Sequence, residues 1–434
     1  MPADSSTNIE LPQPQLSQRR EWAARQVIGF LMQQAVENPD CISLAAGLVD
    51  QETLPVELTQ SVLSELLGDA GAGRQMLQYG TTQGAEPLRR SFLNNFARLE
   101  GQPDDELGIG VENMVLTAGS QQLLSLVGEV LLDPGDICLV AAPTYFVFLS
   151  VLKGLGVRAI PVATDDDGMR MDALETELER LETAGELDRV KLIYLVSDYE
   201  NPSGVSLSAE RREAVVDIAR RWSKSQRVFV LEDGAYRELR YDGPDLPSIW
   251  SFDCERETVI LAQTFSKSFS PGLRVGYGVL PESLVEAVCD RKSNEDFGSA
   301  NFNQQLLATM IDRGLYAKHV ETLQSSYRIK RDAMVTAAET YFADIPGAEW
   351  VAPHGGLYLW LTLPSQVDTG FDSPLFERAA KVDGVMYVPG EICYAGPEKS
   401  RPRNKMRLSF GVQTPAGIDK GMQRLANAVA TILK

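Results

Sequence analysis

Histidine is the scarcest chemistry-bearing residue in this chain of 434 residues, which has only His319 and His354, far apart in sequence. A histidine-based metal site and a Ser-His-Asp hydrolase site are therefore poorly supported. The five cysteines show no C-x-x-C spacing, which argues against a zinc site or a disulfide framework and favours reduced thiols in the cytosol. We expect no metal ion in this protein.

An excess of positive charge and long apolar runs are also missing. The formal net charge is −19, and an acidic surface disfavours nucleic acid or an anionic membrane as the main partner. No apolar run is long enough to span a membrane, and residues 1–18 lack the apolar core of a signal peptide. These absences predict a cytoplasmic protein. No G-x-G-x-x-G follows the first predicted strand, which disfavours a dinucleotide-binding dehydrogenase.

Short continuous apolar stretches alternate with helical patterns from about residue 112 onward. This alternation is typical of an α/β fold with a mostly parallel sheet that helices cover on both faces. The predicted strands cover residues 114–117, 137–140, 157–162, 190–196, 228–231, 258–262 and 275–280. The length of the chain further indicates two domains rather than one core.

A second region follows a long predicted helix over residues 315–341. Predicted strands at 355–361 and 405–410 and a last helix over 418–433 indicate a smaller α+β lobe. Near the N-terminus, the pattern predicts helices over 19–37, 55–67 and 87–99 and a loop over 71–74. We expect a flexible arm over 1–18, a segment over 19–60 that belongs with the small domain, a large domain over 61–315 and a small domain over 316–434.

Lys267 follows the predicted buried strand over 258–262, between two serines, and Arg274 comes seven residues later after a Pro-Gly turn. A buried lysine loses its proton easily, and a neutral amine can attack a carbonyl carbon. Hydroxyl groups and a guanidinium together suit a phosphate dianion. The stretch therefore indicates a site for an aldehyde that carries a phosphate, and pyridoxal phosphate is such a molecule. Taken alone, it equally fits an exposed lysine in a serine-rich loop.

Polar residues after other predicted strands each allow two interpretations. Ser120 is either a helix cap or a phosphate ligand at a helix N-terminus. Asp233 is either a turn former or the carboxylate that keeps a pyridine nitrogen protonated. Tyr145 is either a packing aromatic or a ring that stacks on a flat ligand. Arg407 either forms a surface ion pair or binds a substrate carboxylate.

Taken in order, these segments resemble the aspartate aminotransferase superfamily, the fold type I pyridoxal-phosphate enzymes of class I and II. The branch that the chain resembles most includes 2-aminoadipate and kynurenine aminotransferases and MocR-type domains. The matching motifs are Ser-Leu-Ala-Ala-Gly at 43–47, Gln-Tyr-Gly at 78–80, Gly-Ser-Gln-Gln at 119–122, Asp-Pro-Gly-Asp at 133–136, Pro-Thr-Tyr at 143–145, Asn-Pro-Ser-Gly at 201–204, Asp-Gly-Ala-Tyr at 233–236, Thr-Phe-Ser-Lys at 264–267, Pro-Gly-Leu-Arg-Val-Gly at 271–276, Pro-His-Gly-Gly-Leu-Tyr-Leu-Trp at 353–360, Pro-Gly at 389–390 and Arg-Leu-Ser-Phe at 407–410. The resemblance implies a large domain with a seven-stranded, mostly parallel sheet and a smaller α+β domain.

The resemblance also implies pyridoxal 5′-phosphate as cofactor and a role for each matching residue. Lys267 forms the Schiff base and moves the substrate proton, Asp233 pairs with the pyridine nitrogen, and Tyr236 contacts the ring oxygen. Asn201 also contacts that oxygen, and Tyr145 stacks on the ring. The implied phosphate ligands are Ser120, Gln121, Thr264, Ser266 and Arg274. Substrate is bound by Arg407, Asn201 and the Gly47 backbone, and Tyr79 reaches the phosphate of a neighbouring subunit in a homodimer.

Two departures from the family pattern concern substrate choice. The family has a proline and a glutamine ahead of the asparagine, whereas this chain has Asp198 and Glu200 beside Asn201. An added carboxylate near the ring could disfavour acidic substrates, or could face solvent. Relatives that accept dicarboxylates often carry an arginine in the N-terminal helix, where this chain has Gly29, with Arg25 one turn away.

The reaction that the resemblance implies is ping-pong transamination between an amino acid and a 2-oxo acid through the Lys267 aldimine. Another reaction at the same cofactor is the alternative: β-elimination, decarboxylation or racemisation. A non-catalytic sensor domain is a further alternative, although the acidic charge of the chain disfavours the DNA-binding part that such regulators carry.

Overall fold

The computed structural model describes residues 13–22 and 40–434. The strands are β1 (Ile42–Ser43), β2 (Met114–Thr117), β3 (Ile137–Ala142), β4 (Arg158–Asp165), β5 (Gly168–Met169), β6 (Val190–Val196), β7 (Phe229–Asp233), β8 (Val259–Thr264), β9 (Gly276–Val279), β10 (Glu349–Trp350), β11 (Tyr358–Thr362), β12 (Val385–Met386), β13 (Val388–Pro389) and β14 (Lys405–Ser409). The α-helices are α1 (Gln18–Trp22), α2 (Val56–Gly68), α3 (Ala70–Leu77), α4 (Glu86–Glu100), α5 (Ser120–Leu131), α6 (Phe146–Gly154), α7 (Met171–Thr183), α8 (Ala209–Trp222), α9 (Glu282–Asp296), α10 (Asn301–Asp312), α11 (Leu315–Phe342), α12 (Pro374–Arg378) and α13 (Pro415–Ile432).

The large sheet has the strand order β2-β9-β8-β7-β6-β3-β4-β5. Strands β8, β7, β6, β3 and β4 run parallel to one another, and β9 is antiparallel to both of its neighbours. The seven predicted strands are all present, and the two-residue β5 adds an eighth at one edge. The predicted α/β fold with a mostly parallel sheet is therefore confirmed.

Apolar cores lie on both faces of this sheet, which explains why its strands are apolar without interruption. In β6, Leu192 and Tyr194 belong to one core, and Ile193 and Leu195 belong to the other. Side chains of a strand alternate between faces, so a strand that is covered on both sides has no position for a solvated residue. The polar residues are consequently confined to the strand ends.

A second sheet, with the order β10-β11-β14-β13, is antiparallel throughout. Its central strand β14 carries Arg407, which pairs in register with Trp360 on one side and Val388 on the other. Strand β1 pairs with β12, so the segment that leads to Gly47 is tied to this C-terminal part of the chain. The Leu44 carbonyl accepts a hydrogen bond from the Ser409 amide of β14, and the Gly47 carbonyl accepts one from Lys267, which follows β8, so residues 44–47 lie between the two sheets.

The predicted loop over 71–74 is wrong, because these residues lie inside helix α3. The Asp69 side chain accepts a hydrogen bond of 2.7 Å from the Ala72 amide and so caps the helix, and Met76 is buried. Helices α9 and α10 were not predicted either. The predicted arm and the predicted helix over 19–37 are described only in part: Gln18–Trp22 is helical, and residues 1–12 and 23–39 lie outside the described part.

The loop between β6 and α8, which carries Asn201, is held by a buried arginine. Arg212 donates hydrogen bonds of 2.7 Å to the Ser197 carbonyl and 2.7 Å to Asp198 Oδ1, and it also donates to the carbonyl oxygens of Leu207 and Pro247. The guanidinium is fully buried and the Asp198 carboxylate is nearly so. A buried pair of this kind is costly to break on one side, because the remaining charge stays uncompensated.

We predict that Arg212→Met lowers the free energy of unfolding by about 3–5 kcal/mol. Urea unfolding followed by circular dichroism measures the change. The matched control is Arg211→Met, because Arg211 forms an ion pair with Asp165 in which the carboxylate side chain is 45% exposed. An exposed pair contributes about 1 kcal/mol or less. Equal losses in the two variants would contradict this interpretation of the loop.

Candidate active site

A cavity of about 170 Å³ lies beyond the carboxyl ends of the parallel strands. Ligands collect at this edge in open α/β sheets, because the loops that follow the strands converge there. Ten of the predicted site residues line it: Ser120, Gln121, Tyr145, Asn201, Asp233, Tyr236, Thr264, Ser266, Lys267 and Arg274. Residues from six separate segments of the chain are thus brought together around one space.

One end of the cavity is suited to an anion. Helix α5 begins at Ser120, and the Thr264 hydroxyl donates to Ser266 Oγ over 3.0 Å. Arg274 donates to the same Ser266 oxygen over 3.3 Å. At Gly119 the backbone φ is +84°, and a Cβ there would lie 2.9 Å from Arg274 Nη2, so a larger residue would displace the guanidinium. Hydroxyls, a guanidinium and a helix N-terminus together match a phosphate dianion.

Asp233 lies at the end of β7 and is 3% exposed. Burial raises the pKa of this carboxyl to about 6, although hydrogen bonds from Tyr194 (3.0 Å) and the Ala235 amide (3.2 Å) favour the ionised form. Among the residues that the structure describes, none forms an ion pair with it. A buried carboxylate without a cation fits a ligand that brings its own positive charge, such as a protonated ring nitrogen.

Lys267 lies just past the end of β8, with its side chain partly buried at the cavity. Its Nζ donates a hydrogen bond of 2.7 Å to the Gly47 carbonyl. Burial lowers the pKa of this amine, and the positive charges of Arg407 and Arg274 lower it further, whereas Tyr358 acts in the opposite direction. The lysine is therefore biased towards the neutral form that attacks a carbonyl carbon.

A chain of hydrogen bonds runs from the cavity to Arg407. Asn201 Nδ2 lies 3.4 Å from the Tyr236 hydroxyl, and Asn201 Oδ1 accepts from Arg407 Nη1 over 2.8 Å. Arg407 Nη2 donates to the Ala45 carbonyl over 2.8 Å, and the residue is only 3% exposed. Its Nε–H has no hydrogen-bond partner within residues 13–22 and 40–434. An unpaired buried donor of a guanidinium suits a carboxylate ligand.

Three predicted site residues do not line the cavity. Gly47 and Arg407 lie directly behind it, through their contacts with Lys267 and Asn201. Tyr79 lies elsewhere and is 84% exposed. Tyr145 does line the cavity, with its hydroxyl 3.4 Å from Gln121 Oε1.

Asp198 and Glu200 are both buried, and neither lines the cavity. Asp198 is occupied by Arg212, and Glu200 accepts a hydrogen bond of 2.9 Å from Ser203. Burial raises the pKa of Glu200 to about 8, so this side chain is mostly protonated at neutral pH. Neither residue faces solvent. Arg25 and Gly29 lie outside the described residues.

Tyr358 was missed as a site residue. Its hydroxyl lies 3.2 Å from that of Tyr236, and a Cβ on Gly47 would lie 2.9 Å from it. The only sequence signal was its place in the Gly-Gly-Leu-Tyr motif, since Tyr236 lies 122 positions away in the chain. No cluster of potential metal ligands is present in the described part of the chain. Likewise, no described helix has the length and apolarity to cross a membrane.

Comparisons with known proteins agree with this geometry. The profile of the family described as aminotransferase class I and II matches residues 39–425. The chain is 35% identical to aromatic-amino-acid aminotransferase 1 of Thermococcus litoralis, over 92% of this chain and 90% of that protein. The crystal structure of a kynurenine aminotransferase from Pyrococcus horikoshii matches with a TM-score of 0.87 and 34% identity, over 96% of this chain and 98% of that one. An α-aminoadipate aminotransferase from Thermus thermophilus, solved with N-(5′-phosphopyridoxyl)-L-leucine, matches with a TM-score of 0.82 and 28% identity, over the same shares of the two chains.

The chain therefore belongs to the aminotransferase class I and II family, and it is a transaminase that uses pyridoxal phosphate. The residues around the cavity fit that cofactor. The uncompensated carboxylate of Asp233, the desolvated amine of Lys267 and the anion-binding end are three separate features that a phosphorylated pyridine aldehyde satisfies together.

We predict that Asp233→Asn stabilises the cofactor-free protein above pH 6 while weakening cofactor binding. The folded-state pKa is raised from 3.8 to about 6, so ionisation of Asp233 costs stability as the pH rises through this interval. Above pH 6, the free energy of unfolding of the Asp233→Asn variant should exceed that of the wild-type protein by up to about 3 kcal/mol. Near pH 4, the two proteins should have the same free energy of unfolding. Urea unfolding of the cofactor-free proteins between pH 4 and 7.5 measures it. Parallel pH profiles would show that the carboxylate is not a buried, uncompensated charge.

Proposed function

We propose that this transaminase moves the amino group of an amino acid to a 2-oxo acid, with Lys267 as the amine that holds the cofactor and carries the substrate proton. One observation supports this most directly. The partly desolvated amine of Lys267 and the uncompensated carboxylate of Asp233 line the same small cavity. A lysine and a carboxylate that were only structural would be expected to pair with each other or with other charged side chains.

Pyridoxal phosphate, when bound, supplies a carbonyl carbon that amines attack and a ring that stores an electron pair. The Asp233 carboxylate would keep a proton on the ring nitrogen, and the Tyr236 hydroxyl and Asn201 amide would donate to the ring oxygen. The Tyr145 ring would pack against the pyridine. The residues that would hold the phosphate are Ser120, Gln121, Thr264, Ser266 and Arg274.

Lys267 would act as the base of the reaction. Its neutral Nζ would accept the proton from the substrate Cα and donate it again when the amino group is transferred. Burial, which lowers the pKa of this amine, keeps it ready for that role. The Gly47 carbonyl, which accepts from Nζ over 2.7 Å, orients the amine towards the substrate.

Arg407 binds the α-carboxylate of the substrate, with the Asn201 amide holding the guanidinium in place over 2.8 Å. For the donor side chain we propose an aromatic amino acid. The support comes from the relatives, of which one is named as an aromatic-amino-acid aminotransferase and another as a kynurenine aminotransferase. The Asp198 carboxylate is paired with Arg212 and so offers no free charge to the side chain of the donor amino acid. Asp198 therefore does not select the substrate.

We also propose that the active form is a homodimer with shared sites, in the cytoplasm. Leu77, Tyr79 and Phe297 are 71%, 84% and 78% exposed, which is unusual for large apolar residues. Their segments lie together, because the Thr82 hydroxyl donates to the Phe297 carbonyl over 2.9 Å. Asn303 links this surface to Leu273, beside the anion-binding end of the cavity. A second copy that covers the surface would bring its Tyr79 close to the phosphate.

The division of the chain into domains is part of the same proposal: a large cofactor-binding domain over 61–315, a small domain over 316–434, and residues 19–60 with the small domain. The separate sheets support it, as does the pairing of Ile42–Ser43 with Val385–Met386.

A half-reaction screen tests the function. Adding one amino acid, without any 2-oxo acid, to the cofactor-loaded protein should convert the visible absorption band to that of the aminated cofactor and release one 2-oxo acid per site. Tryptophan, phenylalanine and tyrosine should convert the band faster than aspartate or glutamate. Steady-state kinetics with two substrates should give parallel double-reciprocal lines.

Lys267→Ala is the control for this screen, and it should neither convert the band nor retain a cofactor adduct after borohydride reduction and mass analysis. Continuous release of ammonia and a 2-oxo acid from a single amino acid would contradict transamination and favour β-elimination. A variant at position 267 with full turnover would exclude the role of this lysine.

Mixed assemblies test the shared site. Tyr79→Ala should weaken cofactor binding by about tenfold or more, because it removes one ligand of the phosphate. Co-expression of the Tyr79→Ala and Lys267→Ala chains should restore some sites, namely those that combine Lys267 of one chain with Tyr79 of the other. In a random mixture of dimers, these sites should give about a quarter of the wild-type activity. Activity no higher than the average of the two parent variants would argue against a shared site.

A further inference from the structure

Tyr358 lies between Tyr236, which is proposed to contact the ring oxygen of the cofactor, and Arg407, which is proposed to bind the substrate carboxylate. It begins strand β11 and is buried. Its hydroxyl is 3.2 Å from the Tyr236 hydroxyl, and the two rings meet edge to face with centroids 5.7 Å apart. The guanidinium of Arg407 lies over the face of the same ring, 4.3 Å from its centroid. One side chain therefore contacts both Tyr236 and Arg407.

The charges around Tyr358 make it the stronger acid of the tyrosine pair. Burial raises the pKa of the Tyr358 phenol, but the positive charge of Arg407, together with that of Lys267 when its amine is protonated, outweighs this and brings the pKa below its usual value. Burial raises the pKa of Tyr236 well above its usual value. When Tyr236 donates its own hydrogen to another acceptor, its oxygen is free to accept, and Tyr358 is the donor beside it.

The space around the hydroxyl is closed by Gly47, where a Cβ would lie 2.9 Å from the Tyr358 oxygen. Such a contact is too short for any side chain, so a glycine at this position leaves room for the hydroxyl. The same glycine offers its carbonyl to Lys267. Tyr358 thus occupies a space that is enclosed by groups of the site.

We propose that Tyr358 is a positioning residue for the transamination, with two separable parts. Its hydroxyl donates to the Tyr236 oxygen and makes Tyr236 a stronger donor to the ring oxygen of the cofactor. Its ring face holds the Arg407 guanidinium in the orientation that binds the substrate carboxylate. This inference rests on the proposed roles of Tyr236 and Arg407.

Two substitutions separate these parts. Tyr358→Phe keeps the ring and removes the hydroxyl, so the pH midpoint of the visible band of the bound cofactor should rise by about 0.5–1 unit, because a weaker donor stabilises the ring oxygen anion less. The KM for the amino acid should stay within about twofold, because the cation–π contact remains. Tyr358→Met removes both parts and should show the same shift of the midpoint together with a KM raised by about fivefold or more.

Tyr236→Phe supplies the matched control through a double-mutant cycle. It should raise the midpoint by itself, and Tyr358→Phe added to it should produce no further shift, because the hydroxyl acts through Tyr236. If the band of the wild-type protein depends on pH and the Tyr358→Phe variant has the same midpoint, the role of Tyr358 is overturned but the proposed function is not. The same holds if the midpoint shifts of Tyr236→Phe and Tyr358→Phe add in the double variant. A wild-type protein without any such band on addition of pyridoxal phosphate would overturn the proposed function as well.

A Tyr358→Met variant with an unchanged KM would exclude the role of the ring. If that variant does not fold, the pH titration of Tyr358→Phe still decides the role of the hydroxyl.

Discussion

The site depends on one constraint: an amine and a carboxylate, Lys267 and Asp233, are both shielded from water at one edge of the large sheet. Lys267 and Asp233 follow neighbouring parallel strands, and both lose hydration at the same cavity. Desolvation drives the pKa of the amine down and that of the carboxyl up, towards neutral forms of both groups. A ligand that reacts with the amine and pairs with the carboxylate removes both penalties together. Under the proposed roles of Lys267 and Asp233, relief of these two penalties contributes to the free energy of cofactor binding.

The backbone of residues 45–47 links the two parts of the chain at this cavity. The Gly47 carbonyl accepts from Lys267, which belongs to the large sheet, and the Ala45 carbonyl accepts from Arg407, which belongs to the small one. Just before them, Ile42–Ser43 pairs with Val385–Met386. A displacement of one sheet relative to the other would move these carbonyls and alter the contacts of both side chains. The Lys267 amine and the Arg407 guanidinium are thus connected through the backbone of residues 45–47.

Most of the large sheet could be predicted, because a strand that is buried on both faces reads as an uninterrupted apolar run and its polar neighbours mark the edge where ligands bind. Lys267 and Asp233 were found in this way. Helix α3 was missed because its two glycines outweighed the cap that Asp69 provides. The pairing of Asp198 with Arg212 closes a loop of 14 positions, and the contact of Tyr358 with Tyr236 joins residues 122 positions apart. Neither contact leaves a periodic signal in the sequence. Burial of Glu200 likewise depends on tertiary packing, so its protonation state could not be deduced from its position beside Asn201.

Asn301 has a consequence for assembly. Its Nδ2 lies 3.0, 3.3 and 3.1 Å from the carbonyl oxygens of Gln75, Met76 and Gln78, and it fastens the end of α3 to the start of α10. The segment that carries Tyr79 is therefore held in place by contacts within a single chain. Ordering one residue of a flexible segment costs about 1–2 kcal/mol of conformational entropy. Because that ordering occurs during folding, formation of the proposed homodimer would not carry this entropic penalty.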